Sequence, residues 1–185
     1  MRAVFLLLAS MASASALAAT YVFDPSHTYP MFEIDHLGYS TQRGQFDTVR
    51  GTLEYDPQQR TGSVQIVIDA ASLDSGHDER DAILKGTGWF NVSQFPSITY
   101  VGRQFVFDGD RPVAIEGELT LLGVTQPLRL EINRVKCGLN LAARKLGCGA
   151  DASGVFRRSQ FGMRNGLPFV GDEVRLRIQA EAYQN

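Results

Sequence analysis

Apolar and polar residues alternate along most of the chain, in short runs separated by Gly, Pro and Asp. Alternation with a period of two is typical of β-strands that bury one face and expose the other. In the clearest run, every second residue from Val174 to Ala182 is apolar, and the residues between are charged or polar. The inward-facing sets predicted elsewhere are Phe32, Ile34 and His36; Val64, Ile66 and Ile68; Ile98 and Tyr100; Phe105 and Phe107; Val113, Ile115, Gly117, Leu119 and Leu121; and Leu128, Leu130 and Ile132.

Turn-forming residues lie between these runs, at 56–57, 108–110 and 123–127. With further strands around Gln45–Tyr55 and Gly154–Met163, the pattern predicts about eight strands joined mostly by short turns. Such antiparallel strands must hide their apolar face in a sandwich or a closed barrel. The sequence therefore predicts an all-β fold.

One segment departs from the alternation. Residues 75–85 begin with a Ser-x-x-Asp that resembles a capping box, carry acidic residues first and end on a lysine. These signals predict one short helix over about 76–86. Trp89 and Phe90 follow directly, and this aromatic cluster either plugs one mouth of a barrel or forms a small core beneath a long connection.

Composition narrows the class of protein. The chain has 185 residues, of which 44% are hydrophobic and 21% charged, which favours one globular domain and excludes a disordered chain. The 18 basic and 20 acidic residues give a net charge of −2, without a basic stripe. Nucleic acid is therefore not an expected partner.

The first 19 residues have the pattern of a cleaved secretory signal peptide. Arg2 precedes an apolar run over 3–11, and Ala16-Leu17-Ala18 fits the small-x-small cleavage rule. A membrane anchor is the alternative, but the run is short and serines interrupt it. We expect 20–185 to be the mature domain, exported to the periplasm, with the surrounding medium also open.

The two cysteines, Cys137 and Cys148, are most simply paired as one disulfide in an exported chain. The loop that this bond would close contributes about 3 kcal/mol to stability in the chain-entropy account. Metal binding is the competing interpretation. It is weaker, because no histidine lies nearby to complete a tetrahedral site.

The sequence predicts no catalytic residue, no metal ligand and no cofactor. Its histidines lie on three different predicted elements, and no nucleophile elbow, phosphate-binding glycine loop or metalloprotease helix is present. Polar residues nevertheless fall on faces that should be apolar, at His36, Arg80 and Arg157. Each is either hydrogen-bonded in a core or rim, or belongs to the polar end of a ligand cavity.

Several short motifs, in order along the chain, resemble those of a known family. They are Asp24–Thr28, Phe32–Gly38, Gly44–Phe46, Ile68–Leu73 with Arg80-Asp81, Trp89-Phe90 with Phe95–Ile98, Gly117–Thr125, Arg158–Met163 and Val170–Val174. From about Tyr21 to its end, the chain is similar to the YceI-like, polyisoprenoid-binding proteins. Each motif alone is weak, but their order is specific.

The resemblance implies a lipocalin-like, antiparallel barrel of eight strands whose lumen holds a long isoprenoid chain or a similar amphiphile, such as a polyprenyl or an isoprenoid quinone. We expect the head group to lie near His36, Arg80 and Arg158. The residues expected to line the rest of the lumen are Phe32, Ile34, Ile66, Trp89, Phe90, Ile98, Tyr100, Leu119 and Leu176.

Two other functions stay open on the sequence alone. The protein could be an enzyme acting on such a lipid, with His27, His36 and Arg80 as acid, base or anion-holding groups. It could also be an interaction module whose barrel is filled by its own side chains. The expected partner is a lipid, membrane contact is expected only in passing, and monomer and homodimer both stay open.

Overall fold

A computed structural model describes residues 18–184 of the protein. Within them the chain forms one α-helix, α1 (Asp78–Lys85), and two short 3₁₀ helices at Ala70–Ser72 and Arg158–Phe161. The strands are β1 (Ala19–Phe23), β2 (Tyr29–His36), β3 (Ser40–Phe46), β4 (Val49–Asp56), β5 (Thr61–Asp69), β6 (Leu73–Asp74), β7 (Ser97–Asp108), β8 (Arg111–Leu121), β9 (Val124–Asn140), β10 (Lys145–Arg157) and β11 (Val170–Gln184).

The strands form a closed antiparallel barrel. β11 pairs with β10 on one side and with both β1 and β2 on the other, which closes the ring. β1 pairs with β4, β2 with β3, and β3 with β6, so that β1–β2, β3–β4 and β5–β6 each act as one interrupted barrel strand. Five uninterrupted strands complete the ring. The predicted all-β, eight-stranded antiparallel barrel with one short helix is confirmed.

The break between β1 and β2 is held by hydrogen bonds that replace the strand ladder. The Asp24 carboxylate accepts from the Ser26 N–H at 2.9 Å. The Thr28 hydroxyl donates to the Glu181 carbonyl at 3.2 Å, and the Glu181 N–H lies 3.3 Å from the same hydroxyl oxygen. Side chains thus satisfy backbone groups that the interruption would leave unpaired.

The break between β3 and β4 and the break between β5 and β6 are hydrogen-bonded to each other. At the end of the first 3₁₀ helix, the Ser72 carbonyl accepts from the Asp47 N–H at 3.1 Å, and the Ser72 hydroxyl accepts from the Thr48 N–H at 3.0 Å. The Thr48 carbonyl in turn accepts from the Asp69 N–H at 3.0 Å. The predicted strand over Gln45–Tyr55 is therefore wrong as one element, because Asp47 and Thr48 separate β3 from β4.

The inward faces follow the predicted alternation on most strands, but β-bulges shift it on others. Irregular pairing in β8 brings Pro112 as well as Ile115 to the lumen, so the inward orientation predicted for Val113 is wrong. Phe107 pairs with Pro112 and so lies on the inward face as predicted, although it does not itself line the cavity. The strand predicted over Gly154–Met163 is also wrong in part, because β10 ends before the second 3₁₀ helix.

The helix begins slightly later than predicted. His77 is its N-cap and accepts from the Arg80 N–H through Nδ1 at 3.3 Å. Ser75 does not form the predicted capping box, because its N–H donates to the Asp81 carboxylate at 2.9 Å and its hydroxyl donates to the same oxygen. Gly86 follows the last helical residue, as the sequence predicts.

The predicted disulfide is present and joins directly opposed residues of β9 and β10. Cys137 and Cys148 have Cα atoms 4.1 Å apart. The disulfide-closed loop takes the form of a β-hairpin, because both strands continue beyond the bond to a turn at 141–144.

The predicted signal peptide lies outside the described residues, except for Ala18 and Ala19. Ala19 is the first residue of β1 and pairs with Tyr55, so the barrel begins one residue before the predicted boundary. No helix within 18–184 is long and apolar enough to cross a membrane.

Candidate functional site

The barrel encloses a cavity of about 390 Å³, which lies within the range of small-molecule sites. Its wall is drawn from every part of the ring and runs from α1 at one end to the Cys137–Cys148 disulfide at the other. Nearly all of its lining residues are apolar, and none of those described is Asp or Glu. The lumen is therefore an elongated apolar chamber that the protein's own side chains do not fill.

All twelve residues predicted to contact a ligand line this cavity: Phe32, Ile34, His36, Ile66, Arg80, Trp89, Phe90, Ile98, Tyr100, Leu119, Arg158 and Leu176. The structure thus brings together residues that the sequence scatters over 145 positions. Their contact with a ligand stays a prediction.

Small side chains leave the space that the cavity occupies. Ala150 of β10 and Ala180 of β11 are paired across the barrel wall, and both line the lumen. A larger side chain at either position would project into the chamber. The width of the lumen at this level thus depends on two methyl groups.

Aromatic side chains pack at the α1 end. The Phe90 ring contacts the rings of Phe32 and Phe46, with centroids 6.2 and 5.4 Å away, and the second pair meets edge to face. Trp89 lies beside Phe90 and also lines the cavity. Of the two interpretations left open by the sequence, this packing favours an aromatic plug at one mouth of the barrel.

Tyr100 shapes the middle of the lumen. Its side chain is buried, and its hydroxyl donates to the carbonyls of Ile115 and Leu128, both at 3.2 Å. A Cβ atom at Gly117 would lie 2.6 Å from the Tyr100 ring, so only glycine fits there. Burial raises the pKa of Tyr100, and the nearby Glu116 charge raises it further. The hydroxyl therefore stays protonated.

Arg80 is the cation at the polar part of the wall. Its Nε donates to the Ser75 hydroxyl at 2.8 Å, its Nη1 to the Gln42 side-chain oxygen at 2.7 Å, and its Nη2 to the Ser75 carbonyl. All three acceptors are neutral, and no described carboxylate forms an ion pair with it. Gln42 and Ser75 also line the cavity, so this polar cluster has a positive charge that nothing described neutralises directly.

His36 lies at the rim. It is the last residue of β2, its side chain is exposed, and it lines the cavity. It pairs with Ser40 across the β2–β3 turn and with Val170 of β11. The position suits a group that meets both solvent and ligand.

Arg158 has a different environment from Arg80. It is 1% exposed, and its guanidinium donates to the carbonyls of Gly171, Val170 and Met163 at 2.7, 2.9 and 3.0 Å. It also lies 5.2 Å from the Trp89 ring. Burial lowers the pKa of Arg158, and the Asp172 charge partly opposes this. These contacts give it a structural role in fastening the 158–171 segment.

Arg157 is exposed, so the inward position considered for it is wrong. β10 ends at this residue, and the next one, Arg158, turns inward as the 3₁₀ helix begins. Sequence reasoning also missed Gln42 and Ser75, which alternation alone would place on polar faces. The Ser75–Asp81 spacing is the only local signal that could have indicated the polar cluster.

Within 18–184, no group of three or more His, Cys, Asp or Glu side chains is arranged to hold a metal ion. His27 and His36 lie in different environments. His27 is on the outside of the protein, where its Nδ1 lies 2.7 Å from the Asp24 carboxylate. That contact raises the pKa of His27 and lowers the pKa of Asp24. The histidines thus do not form a common site.

A closed antiparallel barrel around an apolar chamber, with a small polar cluster on its wall, is an architecture that can accommodate an elongated apolar ligand. The YceI-like domain family matches residues 21–182. The chain therefore belongs to the YceI-like family.

Individual relatives agree with this assignment. Protein YceI of Escherichia coli O6:H1 is 34% identical over 173 residues, which cover 92% of this chain and 90% of that protein. The crystal structure of BcnA from Burkholderia cenocepacia superposes with a TM-score of 0.72 at 21% identity, covering 86% of this chain and 98% of that one. A polyisoprenoid binding domain from Saccharophagus degradans, implicated in plant cell wall breakdown, has a TM-score of 0.66 at 15% identity, covering 91% and 99%. At these identities the two structures show the shared fold.

Proposed function

We propose that the protein is an exported carrier or binding protein that holds a long isoprenoid chain, such as a polyprenyl or an isoprenoid quinone, inside the barrel. The observation that carries this proposal is the apolar cavity of about 390 Å³ within a closed wall. The likeness to a domain described as polyisoprenoid binding supports the same class of ligand. The proposed compartment is the periplasm, on the strength of the predicted signal peptide.

Binding rather than catalysis is proposed because of what the described wall contains. No carboxylate lines the cavity, and its histidine, His36, lies at the rim without a hydrogen-bonded acid or base among the described residues. General acid–base catalysis needs a proton donor or acceptor held against the reacting atom. An apolar chamber suits retention of a chain better than its chemical change.

The polar cluster decides selectivity. Removing a chain of about 30–40 carbons from water releases roughly 25–30 kcal/mol at ~0.8 kcal/mol per methylene, above the ~18–21 kcal/mol reached by non-covalent complexes. The relevant competitor is a bilayer, which dissolves the chain as well as the lumen does. Hydrogen bonds to the head group and the shape of the cavity must then distinguish one amphiphile from another.

Arg80 and His36 are the proposed contacts of the head group. Arg80 forms no direct ion pair with a described carboxylate, and the Asp81 carboxylate reaches it only through the Ser75 hydroxyl, so its guanidinium can attract an electron-rich head-group oxygen. Arg158 is proposed to support this end from behind, because its donors are directed at backbone carbonyls.

Native mass spectrometry of the exported protein, followed by organic extraction, tests the proposal. We expect one polyprenyl or isoprenoid quinone molecule per chain. A protein that carries no lipid, and that takes up no isoprenoid added in detergent, would contradict the proposal and favour an interaction module.

A pair of variants separates filling of the lumen from general damage to the barrel. Ala180→Phe places a ring in the chamber, whereas Val155→Phe adds the same bulk on the outer wall, where Val155 is 54% exposed. We expect the first to lose bound lipid while remaining folded, and the second to retain it.

Arg80→Gln and His36→Ala should keep the capacity for apolar chains but change the preference among head groups.

A further inference from the structure

The β9–β10 hairpin extends past the barrel wall. β9 pairs with β8 only as far as Glu131, which lies opposite Ala114. From Ile132 onward its only described partner is β10. We define the hairpin tip as residues 134–146. One backbone edge of this tip has no neighbouring strand among the described residues, so the tip projects from the rim.

The lumen-facing surface continues onto the hairpin tip. A register shift beside Asp151 and Ala152 leaves one extra residue in β9, and beyond it the paired residues on the lumen side are Val135 with Ala150, Cys137 with Cys148, and Leu139 with Leu146. The first two pairs line the cavity, and the third lies outside it. Leu139 and Leu146 are 62% and 50% exposed. An apolar strip thus leads from the lumen into solvent.

The opposite face of the hairpin tip is covered. A Cβ atom at Gly147 would lie 2.7 Å from the Tyr183 ring, which shows how closely the ring packs on the backbone there. The Tyr183 hydroxyl accepts from the Asn140 amide at 2.8 Å, and the Asn140 oxygen accepts from the Ala142 N–H at 3.0 Å. With the disulfide, these contacts brace the base of the tip against β11, and Leu141 in its turn is 81% exposed.

The charge of the hairpin tip is opposite in sign to that of the whole protein. The tip contains Arg134, Lys136, Arg144 and Lys145 and no acidic residue, although the net charge of the chain is −2. Arg134 pairs with Asp151 at 2.9 Å, whereas the other three are exposed and form no ion pair with a described residue. Exposed leucines and free basic groups therefore occupy the same short segment.

We propose that the hairpin tip docks the protein on the surface of an anionic phospholipid bilayer. The inference rests on the proposed function, because a carrier of membrane lipids must meet the membrane. Leucines enter the boundary between head groups and acyl chains, while basic residues remain among the phosphates. Each basic residue near an anionic surface strengthens binding roughly fivefold. The docked tip presents the end of the apolar strip to the bilayer.

The opposite end of the barrel fits an anionic surface less well. Leu37, Tyr39 and Phe169 are 47%, 90% and 66% exposed there. Carboxylates at Asp35 and Asp172 lie in the same region, next to the β2–β3 turn and at the start of β11. The charges around that end are mixed, whereas every charged residue of the hairpin tip itself is basic.

Vesicle flotation tests the proposal with two kinds of liposome, phosphatidylcholine alone and an equal mixture of phosphatidylcholine and phosphatidylglycerol. We expect the protein to float with the mixed vesicles and to be released by salt. Leu139→Ser with Leu146→Ser should reduce the vesicle partition coefficient by roughly tenfold or more. Arg144→Glu with Lys145→Glu should remove the preference for anionic vesicles while keeping both leucines.

Control variants distinguish the remaining outcomes of the flotation experiment. Val155→Ser changes an exposed apolar residue on the outer wall and should float like the unaltered protein. Unchanged flotation of both hairpin variants, or its loss in Leu37→Ser with Phe169→Ser instead, would overturn the proposal. A hairpin-dependent dimer that ignores vesicles would overturn it in favour of a second copy. Lipid uptake from detergent, measured in parallel, reports on the proposed function alone.

Discussion

The two ends of the barrel are built from different interactions. At the α1 end, a buried arginine, a cluster of aromatic rings and a half-buried polar network tie several segments together. At the other end, two paired strands and one disulfide form a projecting hairpin with exposed leucines. The first end combines the short-range contacts of Arg158 with contacts between residues far apart in the chain, such as Gln42 with Arg80. The second is held by the pairing of two neighbouring strands, by the disulfide and by one distant contact, from Asn140 to Tyr183.

The difference between the two ends matches two requirements of the proposed carrier role. Recognition of a head group needs polar atoms held in fixed positions, and long-range hydrogen bonds provide this. Contact with a bilayer needs apolar and basic groups that remain accessible, and a hairpin braced by its disulfide and by Tyr183 provides this at the rim. Loss of the buried arginine at the α1 end should therefore alter stability, whereas loss of the exposed leucines at the hairpin should alter what the surface binds.

The largest expected effect follows removal of the buried arginine. Arg158→Met leaves three backbone carbonyls without their donor, and we expect it to lower the free energy of unfolding by about 3 kcal/mol or more. Arg157→Met, one residue away and exposed, should change it by less than about 0.5 kcal/mol. Urea denaturation measures both. Equal losses in the two variants would mean that Arg158 does not fasten this end.

A smaller effect is expected from breaking the hairpin's covalent bond. Cys137→Ser with Cys148→Ser should lower stability by at most about 3 kcal/mol, because the strands on either side still pair. Hydrogen exchange should rise over 138–147 and remain unchanged around α1. Exchange that rises equally at both ends would show that the two ends are not independent.

The smallest expected effect is a difference between the two ends of the barrel in their response to acid. Burial alone would raise the pKa of Asp172, but hydrogen bonds from the Ser159 N–H and hydroxyl, at 2.9 and 2.8 Å, and the Arg158 and Arg157 charges outweigh it and lower that pKa. Because the folded-state pKa lies below the usual value of 3.8, the ionised form stabilises the fold above that pH. The contribution is lost as the pH falls through the lowered pKa.

Thermal unfolding between neutral pH and pH 3 measures this contribution. The unaltered protein should lose more stability on acidification than Asp172→Asn, which lacks the titrating group. The hairpin tip contains no carboxylate, so the NMR shifts of Leu139 and Leu141 should change little over the same range. An identical loss of stability on acidification in the unaltered protein and in Asp172→Asn would mean that the Asp172 carboxylate does not stabilise the α1 end.

Alternation of apolar residues predicted the strands, an all-β architecture and most of the lumen wall, because strand periodicity is a local property. The choice of a closed barrel over a sandwich came from the resemblance to the YceI-like family. It failed where pairing is locally irregular. The extra residue in β9 moves Val135 and Cys137 onto the face that carries Ile132, although simple alternation would separate them. A bulge depends on the neighbouring strand, which the sequence of one strand does not describe.

For the polar residues, too, local sequence could not show which side chain is buried. Arg157 and Arg158 are chemically identical, and only the point at which β10 gives way to a 3₁₀ helix makes the second one buried. The resemblance to the YceI-like family indicated Arg158, whereas alternation indicated Arg157. Gln42 was missed because its partnership with Arg80 spans 38 residues of sequence.

The strand that closes the ring is the last one in the chain. β11 joins β10 to β1 and β2, and Tyr21 is paired with Gln184. A chain that is made or moved across a membrane from its amino end therefore cannot complete the barrel until its final residues have arrived. Contacts between such distant residues also slow folding. The order of the strands thus delays closure of the barrel until β11 is available to pair with β1 and β2.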